Sequence, residues 1–306
     1  MPTNTFDRRR FLQTLSAAPI AIPGAAGVAA SVAVSAAHAA EKRKARLRTA
    51  ICAYSFRDAL AKKTLTYEDL IPMAVENDVD GLDLTVYWFP STESSFLMPL
   101  RRMAYQNGVE LYSISVRTNM CQPTADLRKK EFSTLRKWVD VAHELGAGHI
   151  RVFGGTVPKG ETEDHAATWV VDILNYAAEY AGSKGIVLGL ENHGGITAKA
   201  DRIVDIVKQV NSPWVAVNLD TGNFDADAYE QIAKILPYAA NVQFKTEIRV
   251  EGGKRVPADW DRLTKMLADG GYRGYLALEY EGQGDARAAV PPLLTELNRL
   301  AHKYSG

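Results

Sequence analysis

Four short apolar segments in the second half of the chain end in polar side chains whose types and spacing could do chemistry. In the first, Ile186–Leu190 is followed at once by Glu191, Asn192 and His193. The polar side chains that end the other three segments are Asp220, Gln243 with Lys245, and Glu279. Carboxylate and carbonyl oxygens are the ligands that hard and borderline divalent cations prefer. The pattern therefore predicts a divalent metal site at the ends of four successive strands.

The spacing within these segments predicts that their polar side chains point the same way. Side chains alternate along a β-strand, so Gly189 shares a face with Glu191, and Asn218 shares one with Asp220. Three carboxylates that converge would repel one another strongly unless a divalent cation neutralised them. A single carboxylate at a strand end is often a helix cap or part of a surface ion pair. Four polar ends in succession favour a shared site instead.

Strand-like and helix-like segments alternate from residue 49 onwards and must position these residues. The first strand is predicted at Thr49–Tyr54, the eighth ends at Glu279, and a closing helix is predicted over Pro291–Tyr304. Eight such units in a segment of this length predict an α/β fold of the (β/α)₈ type, the TIM barrel, which typically has about 250 residues. A doubly wound open sheet is the alternative, but Ala53–Phe56 is bulky where a dinucleotide-binding fold needs glycine.

Composition and charge narrow the class of partner. The 306 residues carry a formal net charge of zero, so nothing favours nucleic acid or an anionic membrane surface as a partner. Cys52 and Cys121 are too few for a disulfide framework, and whether they pair is left open by the sequence.

The first forty residues differ from the rest of the chain. Arg8–Arg10 is followed by Phe11-Leu12, an alanine-rich run, and a small-residue cleavage site at Ala37–Ala39. This stretch resembles a twin-arginine export signal. We therefore expect a signal peptide over residues 1–39, a linker over 40–48 and a single barrel domain over 49–306. Export implies a periplasmic or extracellular protein with no stable membrane insertion after cleavage, and an uncleaved anchor is the alternative.

The strand ends resemble those of the sugar phosphate isomerase/epimerase family, which has a xylose isomerase-like TIM barrel and includes ketose 3-epimerases. The resemblance lies in Leu190–His193, Leu219–Asn223, Val242–Lys245 and Ala277–Glu281. It implies that a Glu, an Asp, a His and a Glu hold a divalent ion, with Mn²⁺ expected first and Mg²⁺ or Co²⁺ as alternatives. The matching residues are Glu191, Asp220 and Glu279, with Gln243 at the position of the His.

Two departures from the family pattern concern the ligands and the substrate contacts. Gln243 offers a neutral oxygen that binds transition metals more weakly than imidazole does. Asn223 replaces a substrate-contacting His of the ketose epimerases, whereas Arg249 matches an arginine that contacts their substrate. The other residues expected to bind substrate are His193, Lys245, Tyr54 and Trp88.

Two cationic side chains have alternative interpretations. Lys245 could polarise a carbonyl group, or it could form an ion pair with Glu279 or Glu281. Arg151, within the fourth strand, could pair with a carboxylate of the barrel.

The chemistry that fits these residues is proton abstraction next to a carbonyl group, through an enediolate. Glu191 and Glu279 are expected on opposite faces of the substrate as acid and base. The prediction is a metal-dependent sugar epimerase or isomerase that acts on a small sugar and could form homo-oligomers. A lyase that cleaves 3-keto-glycosides by β-elimination is the first alternative, because sugar phosphates are scarce outside the cytoplasm. A non-catalytic carbohydrate-binding barrel is the second.

Overall fold

A computed structural model describes residues 45–305, and the predicted export signal over residues 1–39 lies outside them. Eight parallel strands close into a barrel, in which the last strand pairs with the first. The barrel strands are β1 (Arg46–Cys52), β2 (Gly81–Thr85), β3 (Glu110–Ser115), β4 (His149–Phe153), β5 (Val187–Glu191), β6 (Val215–Asp220), β7 (Ala239–Phe244) and β10 (Arg273–Leu278). Between β7 and β10, the strands β8 (Glu247–Arg249) and β9 (Arg255–Pro257) form an antiparallel hairpin.

Helices follow the barrel strands and cover the outside of the barrel. The helices of residues 45–305 are α1 (Arg57–Ala61), α2 (Leu70–Glu76), α3 (Ser94–Gln106), α4 (Ala125–Leu145), α5 (Glu163–Ser183), α6 (Ala200–Val210), α7 (Ala228–Ile235), α8 (Trp260–Asp269) and α9 (Ala286–Tyr304). Short 3₁₀ segments lie at Ala53–Phe56, Val86–Trp88, Leu236–Tyr238 and Glu251–Gly253. None of the helices in this part of the chain combines the length and apolar character that a bilayer-spanning helix needs. The predicted (β/α)₈ barrel is confirmed.

The layer between strands and helices is the main hydrophobic core. Leu188 and Leu190 of β5 are fully buried in it, together with Val170 and Leu174 of α5. Full burial of one such side chain contributes about 1.5–3 kcal/mol relative to exposure. The alternate residues of β5, Gly189 and Glu191, therefore belong to the inner face of the barrel, as the period of two predicts.

The structure corrects two predicted boundaries. Strand β1 begins at Arg46, inside the segment predicted as a linker, because Arg46 already pairs in register with Arg273 of β10. The closing helix begins at Ala286 rather than at Pro291, because the Asp285 side chain accepts a hydrogen bond from the backbone N–H of Arg287 and caps the helix.

Two further features were expected or left open. Helix α4 ends at Leu145, and Gly146 follows it in the left-handed conformation, φ 82°, which glycine adopts without strain. Cys52 and Cys121 are both buried free thiols.

Candidate active site

The predicted site residues lie at the C-terminal mouth of the barrel, where four strands deliver them. Glu191 ends β5, Asp220 ends β6, Gln243 is next to last in β7, and Glu279 directly follows β10. The strand register pairs Gln243 with Asp220 on one side and with Ala277 on the other, so the three strands reach the mouth together. All four side chains are buried, with at most 7% of each residue exposed.

The Lys245 ammonium bridges the carboxylates on two of these strands. Its Nζ lies 3.3 Å from Asp220 Oδ2 and 3.0 Å from Glu279 Oε1, and it donates a hydrogen bond of 2.6 Å to Glu281 Oε2. Burial lowers the pKa of Lys245, but the three carboxylates outweigh it and hold that pKa well above its ordinary value. The ion-pair interpretation of Lys245 is confirmed, with Asp220 as a third and unexpected partner.

Arg151 forms a second buried ion pair, with Glu191. Its Nε lies 2.9 Å from Glu191 Oε2, and its Nη1 donates a hydrogen bond to the hydroxyl of Tyr87 at 3.1 Å. The guanidinium also packs on the ring of Phe153, 4.1 Å from the ring centre. The expected pairing of Arg151 with a barrel carboxylate is therefore confirmed. Two buried cations already offset part of the carboxylate charge, so the sequence argument that only a metal could make the cluster tolerable was too strong.

The two proposed acid–base carboxylates have different electrostatic surroundings. Burial disfavours ionisation of both. At Glu191, Arg151 and His193 outweigh burial, and the pKa of this carboxyl lies below its ordinary value. At Glu279, burial prevails over Lys245, and the pKa of this carboxyl is raised. The two side chains are therefore unequal before any ligand binds.

The donor set fits a divalent cation in charge and in chemistry. Counted as ionised groups, Glu191, Asp220, Glu279 and Glu281 carry two more formal charges than Arg151 and Lys245 offset. Burial opposes full ionisation, because it raises the pKa of Asp220 as it does that of Glu279. The buried oxygen Glu279 Oε2 accepts no hydrogen bond from any described residue, whereas Glu191 Oε2 and Asp220 Oδ2 are held in ion pairs by Arg151 and Lys245. Such oxygens are what a hard cation binds. Within residues 45–305, however, no three acidic, His or Cys side chains are grouped closely enough to hold one ion as they stand. A metal bound there would compete with Lys245, whose ammonium lies within 3.3 Å of oxygens of both Asp220 and Glu279.

Gln243 belongs to a buried polar network inside the barrel. Its Oε1 accepts a hydrogen bond of 2.8 Å from Asn218 Nδ2, and its Nε2 donates to Asp83 Oδ2 at 3.3 Å. The network continues from Asn218 to Asn241, whose Nδ2 donates to Asn218 Oδ1 at 2.8 Å. A carbonyl oxygen accepts two hydrogen bonds, so one acceptor position of Gln243 is in use. One feature of the sequence pointed to this network: Asn218 lies two residues before Asp220 in the same strand, so both side chains were expected to point into the barrel.

His193 and Asn223, both predicted to bind substrate, contact Glu191 from the segments that follow β5 and β6. Asn223 Nδ2 donates to Glu191 Oε1 at 2.9 Å, and His193 Nδ1 lies 3.0 Å from the same oxygen. The His193 ring stacks on Phe153 with a separation of 4.0 Å. Both side chains are partly exposed and can reach a ligand above Glu191.

The remaining predicted substrate contacts lie on two sides of the mouth. Arg249, in β8, lines a cavity of about 100 Å³ together with Asn223, Lys245 and Glu281. Its guanidinium donates to Asp225 at 2.8 Å. On the other side, the rings of Tyr54 and Trp88 stack at 6.0 Å. Burial raises the pKa of Tyr54, and the charges of nearby glutamates at the mouth add to this.

Comparison with known proteins identifies the family. Residues 73–299 match the model of the xylose isomerase-like TIM barrel family. The chain belongs to this family. A mouse (Mus musculus) protein that is provisionally named a hydroxypyruvate isomerase is 26% identical over 189 residues, which are 56% of this chain and 68% of the mouse protein.

Solved structures share the fold at low sequence identity. The D-psicose 3-epimerase of Clostridium cellulolyticum, solved with D-tagatose, superposes with a TM-score of 0.65 and 19% identity, covering 84% of this chain and 98% of its own. The 3-keto-D-glucoside 4-epimerase of E. coli gives a TM-score of 0.65 at 14% identity, covering 84% of this chain and all of its own. The similar proteins are mostly sugar isomerases and epimerases. The closed barrel excludes the alternative of a doubly wound open sheet.

Proposed function

We propose that this chain is a divalent-metal-dependent sugar isomerase or epimerase that removes a proton next to a carbonyl group. The observation that carries the proposal is the pair of buried glutamates, Glu191 and Glu279. Glu279 presents an oxygen, Oε2, that has no hydrogen-bond donor, while Glu191 is fixed by its ion pair with Arg151, and both lie at the mouth of a barrel whose relatives act on sugars. Carboxylates placed in this way can take up and return a substrate proton.

The residues that would hold the metal are Glu191, Asp220, Gln243 and Glu279, with Mn²⁺ as the first candidate and Mg²⁺ or Co²⁺ as alternatives. When bound, a divalent cation polarises a substrate carbonyl and stabilises the negative charge of an enediolate. Gln243 would contribute the acceptor position of its oxygen that Asn218 leaves free.

The other side chains bind and orient the sugar. Arg151 holds the Glu191 carboxylate in place from below, and Asn223 and His193 hold its other oxygen. A substrate hydroxyl above Glu191 could take over the hydrogen bonds of Asn223 and His193. On the opposite side, Lys245 and Arg249 bring positive charge to oxygen atoms of the substrate. Tyr54 and Trp88 offer an apolar wall for a sugar ring.

Glu191 and Glu279 would act on opposite faces of the substrate carbon. Removal of a proton by one and its return by the other inverts the carbon, which is epimerisation. Return of the proton to the neighbouring carbon is isomerisation.

We also propose export of the chain by the twin-arginine route, supported by Arg8–Arg10 and the segment after it. In that location, loss of a β-substituent from a 3-keto-glycoside is the second candidate reaction.

Solvent deuterium exchange tests the proposal directly. The full chain is incubated in D₂O with hydroxypyruvate, free ketoses and 3-keto-glucosides, with Mn²⁺ or with a chelator, and exchange at carbon is followed by NMR. We expect metal-dependent exchange in at least one substrate, and its loss in Glu191→Gln and Glu279→Gln. Glu230→Gln, the same change at an exposed position, serves as the matched control. Unchanged exchange in both active-site variants would refute the assigned chemistry, and sugar binding without any exchange would favour a carbohydrate-binding barrel.

A further inference from the structure

An open groove lies on the rim of the barrel mouth, beside the candidate active site. It has a volume of about 550 Å³ and is formed by the segments that follow β1 and β2. We call it the rim groove, and its large apolar lining residues are Leu60, Leu65, Tyr67, Trp88, Phe89 and Phe96. Because both segments follow the C-terminal ends of strands, the rim groove opens at the same end of the barrel as Glu191 and Glu279.

The floor of the rim groove is held rigidly by aromatic contacts. The hydroxyl of Tyr67 donates a hydrogen bond of 2.5 Å to the backbone oxygen of Thr85, which fixes that ring. Phe89 packs edge-on against Tyr67 at 4.6 Å and against Phe96 at 5.4 Å. Trp88, Phe89 and Phe96 remain partly exposed. A preformed concave surface of this size, mostly apolar and with few polar groups, is typical of small-molecule sites.

Trp88 connects the rim groove to the active site. Its ring stacks on Tyr54 at 6.0 Å and packs against Tyr87 at 5.7 Å. The hydroxyl of Tyr87 accepts a hydrogen bond from Arg151, which forms the ion pair with Glu191. A molecule whose sugar ring lies over Glu191 could therefore continue across Trp88 into the groove without leaving the protein surface.

The lining indicates the chemistry of the occupant. The polar side chains Lys63 and Thr66 are exposed at its edges, and the Tyr67 hydroxyl is already bonded to Thr85, so the floor of the rim groove offers no free polar side chain to the hydroxyl groups of a second sugar. Flat apolar groups, in contrast, pack well on the exposed faces of Trp88 and Phe96. The lining is thus suited to the non-sugar end of a glycoside.

We propose that the rim groove binds the aromatic or apolar aglycone of a glycoside whose sugar ring lies at Glu191 and Glu279. This inference rests on the proposed function, and it narrows the substrate class from free sugars to aryl or similar apolar glycosides. A phenyl group moved from water into the groove is expected to strengthen binding roughly tenfold or more over a methyl group.

Calorimetric titration of the full chain carrying Glu191→Gln, which is expected to bind without turnover, tests the groove. The probes are phenyl and methyl 3-keto-β-glucoside. Two variants change the groove in that background: Ala61→Trp fills it from an exposed position, and Phe96→Ala removes part of its wall. Tyr105→Ala, an 85% exposed aromatic on the same helix as Phe96, is the matched control.

We expect the phenyl compound to bind at least tenfold more tightly than the methyl compound. Ala61→Trp and Phe96→Ala should abolish most of this preference while changing affinity for the methyl compound less than twofold, and Tyr105→Ala should leave both affinities unchanged. Equal affinity for the two probes would overturn the inference, as would a preference that survives in Ala61→Trp, which needs no loss of core packing. A shift in oligomeric state with Ala61→Trp, without a phenyl preference, would assign the groove to a second copy of the chain and also overturn it.

The outcome is separable from that of the proposed function. Deuterium exchange without a phenyl preference would refute the groove alone. A groove-dependent phenyl preference without deuterium exchange in any keto-sugar would refute the chemistry alone, and absence of binding by both probes would refute the inference.

Discussion

Replacement of Lys245 by Met would remove the ammonium that bridges two strands of the candidate site. At the observed distances of 3.0 Å to Glu279 and 3.3 Å to Asp220, each attraction amounts to about 5 kcal/mol at an effective dielectric constant of about 20. Desolvation of the buried ions cancels much of this gain. The pair with Glu281 adds little, since that side chain is 46% exposed. We therefore expect the metal-free variant to lose about 3–5 kcal/mol of unfolding free energy, the cost of leaving buried charges unpaired.

The same substitution should strengthen metal binding. In the wild type, a divalent cation would compete with Lys245 for Asp220 and Glu279. In Lys245→Met this competition is absent, and Met keeps most of the apolar volume of the lysine chain. The Kd for Mn²⁺ should therefore fall roughly 10- to 100-fold, which corresponds to about 1.4–2.8 kcal/mol. Saturating Mn²⁺ should restore the stability of the variant more than it stabilises the wild type.

Urea unfolding with a chelator or with Mn²⁺, together with calorimetric titration of Mn²⁺, measures both effects. Lys234→Met is the matched control, because Lys234 pairs with Asp201 at 3.2 Å at the surface, where solvent screens the pair and little stability is lost with it. Weaker Mn²⁺ binding in Lys245→Met would show that the lysine supports the metal rather than competes with it. An unchanged unfolding free energy without metal would refute the assigned cost of the unpaired carboxylates.

Two further predictions concern the inner face of the barrel. Burial, with Arg151 nearby, lowers the pKa of His149 to about 3, so the folded protein takes up this proton only far below pH 6.5, where the unfolded chain already binds it. Stability is therefore lost as the pH falls from about 6.5 towards 3, by about 2 kcal/mol at pH 5. The variant His149→Asn, which can keep the hydrogen bond to Ser113, should not show this pH-dependent loss of unfolding free energy. Urea unfolding of both proteins at pH 7 and pH 5 measures it, and an equal loss in the two proteins would contradict the prediction. Gly189→Ala should cost about 1–3 kcal/mol of unfolding free energy, because an added Cβ would overlap His149 Nε2 and lie 3.0 Å from Asn218 Cβ. Unchanged stability would show that the imidazole can move aside.

The sequence by itself determined the barrel and the end of the barrel at which its polar residues meet. Alternation of strands and helices, strand parity and helix caps depend on residues close in sequence, and these placed Glu191, Asp220 and Glu279 at the strand ends. Boundaries set by distant partners were missed: β1 begins at Arg46 because Arg273 of the last strand pairs with it.

Only the tertiary structure decided how the charges at the mouth are shared. Lys245 and Asp220, or Arg151 and Glu191, come from different strands, and their contacts exist only after barrel closure. The sequence shows which residues carry charge, but long-range geometry selects their partners, and in a buried site the partner decides whether a charge is tolerated. For the same reason, Gln243 could be recognised as a strand-end residue, whereas its hydrogen bonds to Asn218 and Asp83 could not.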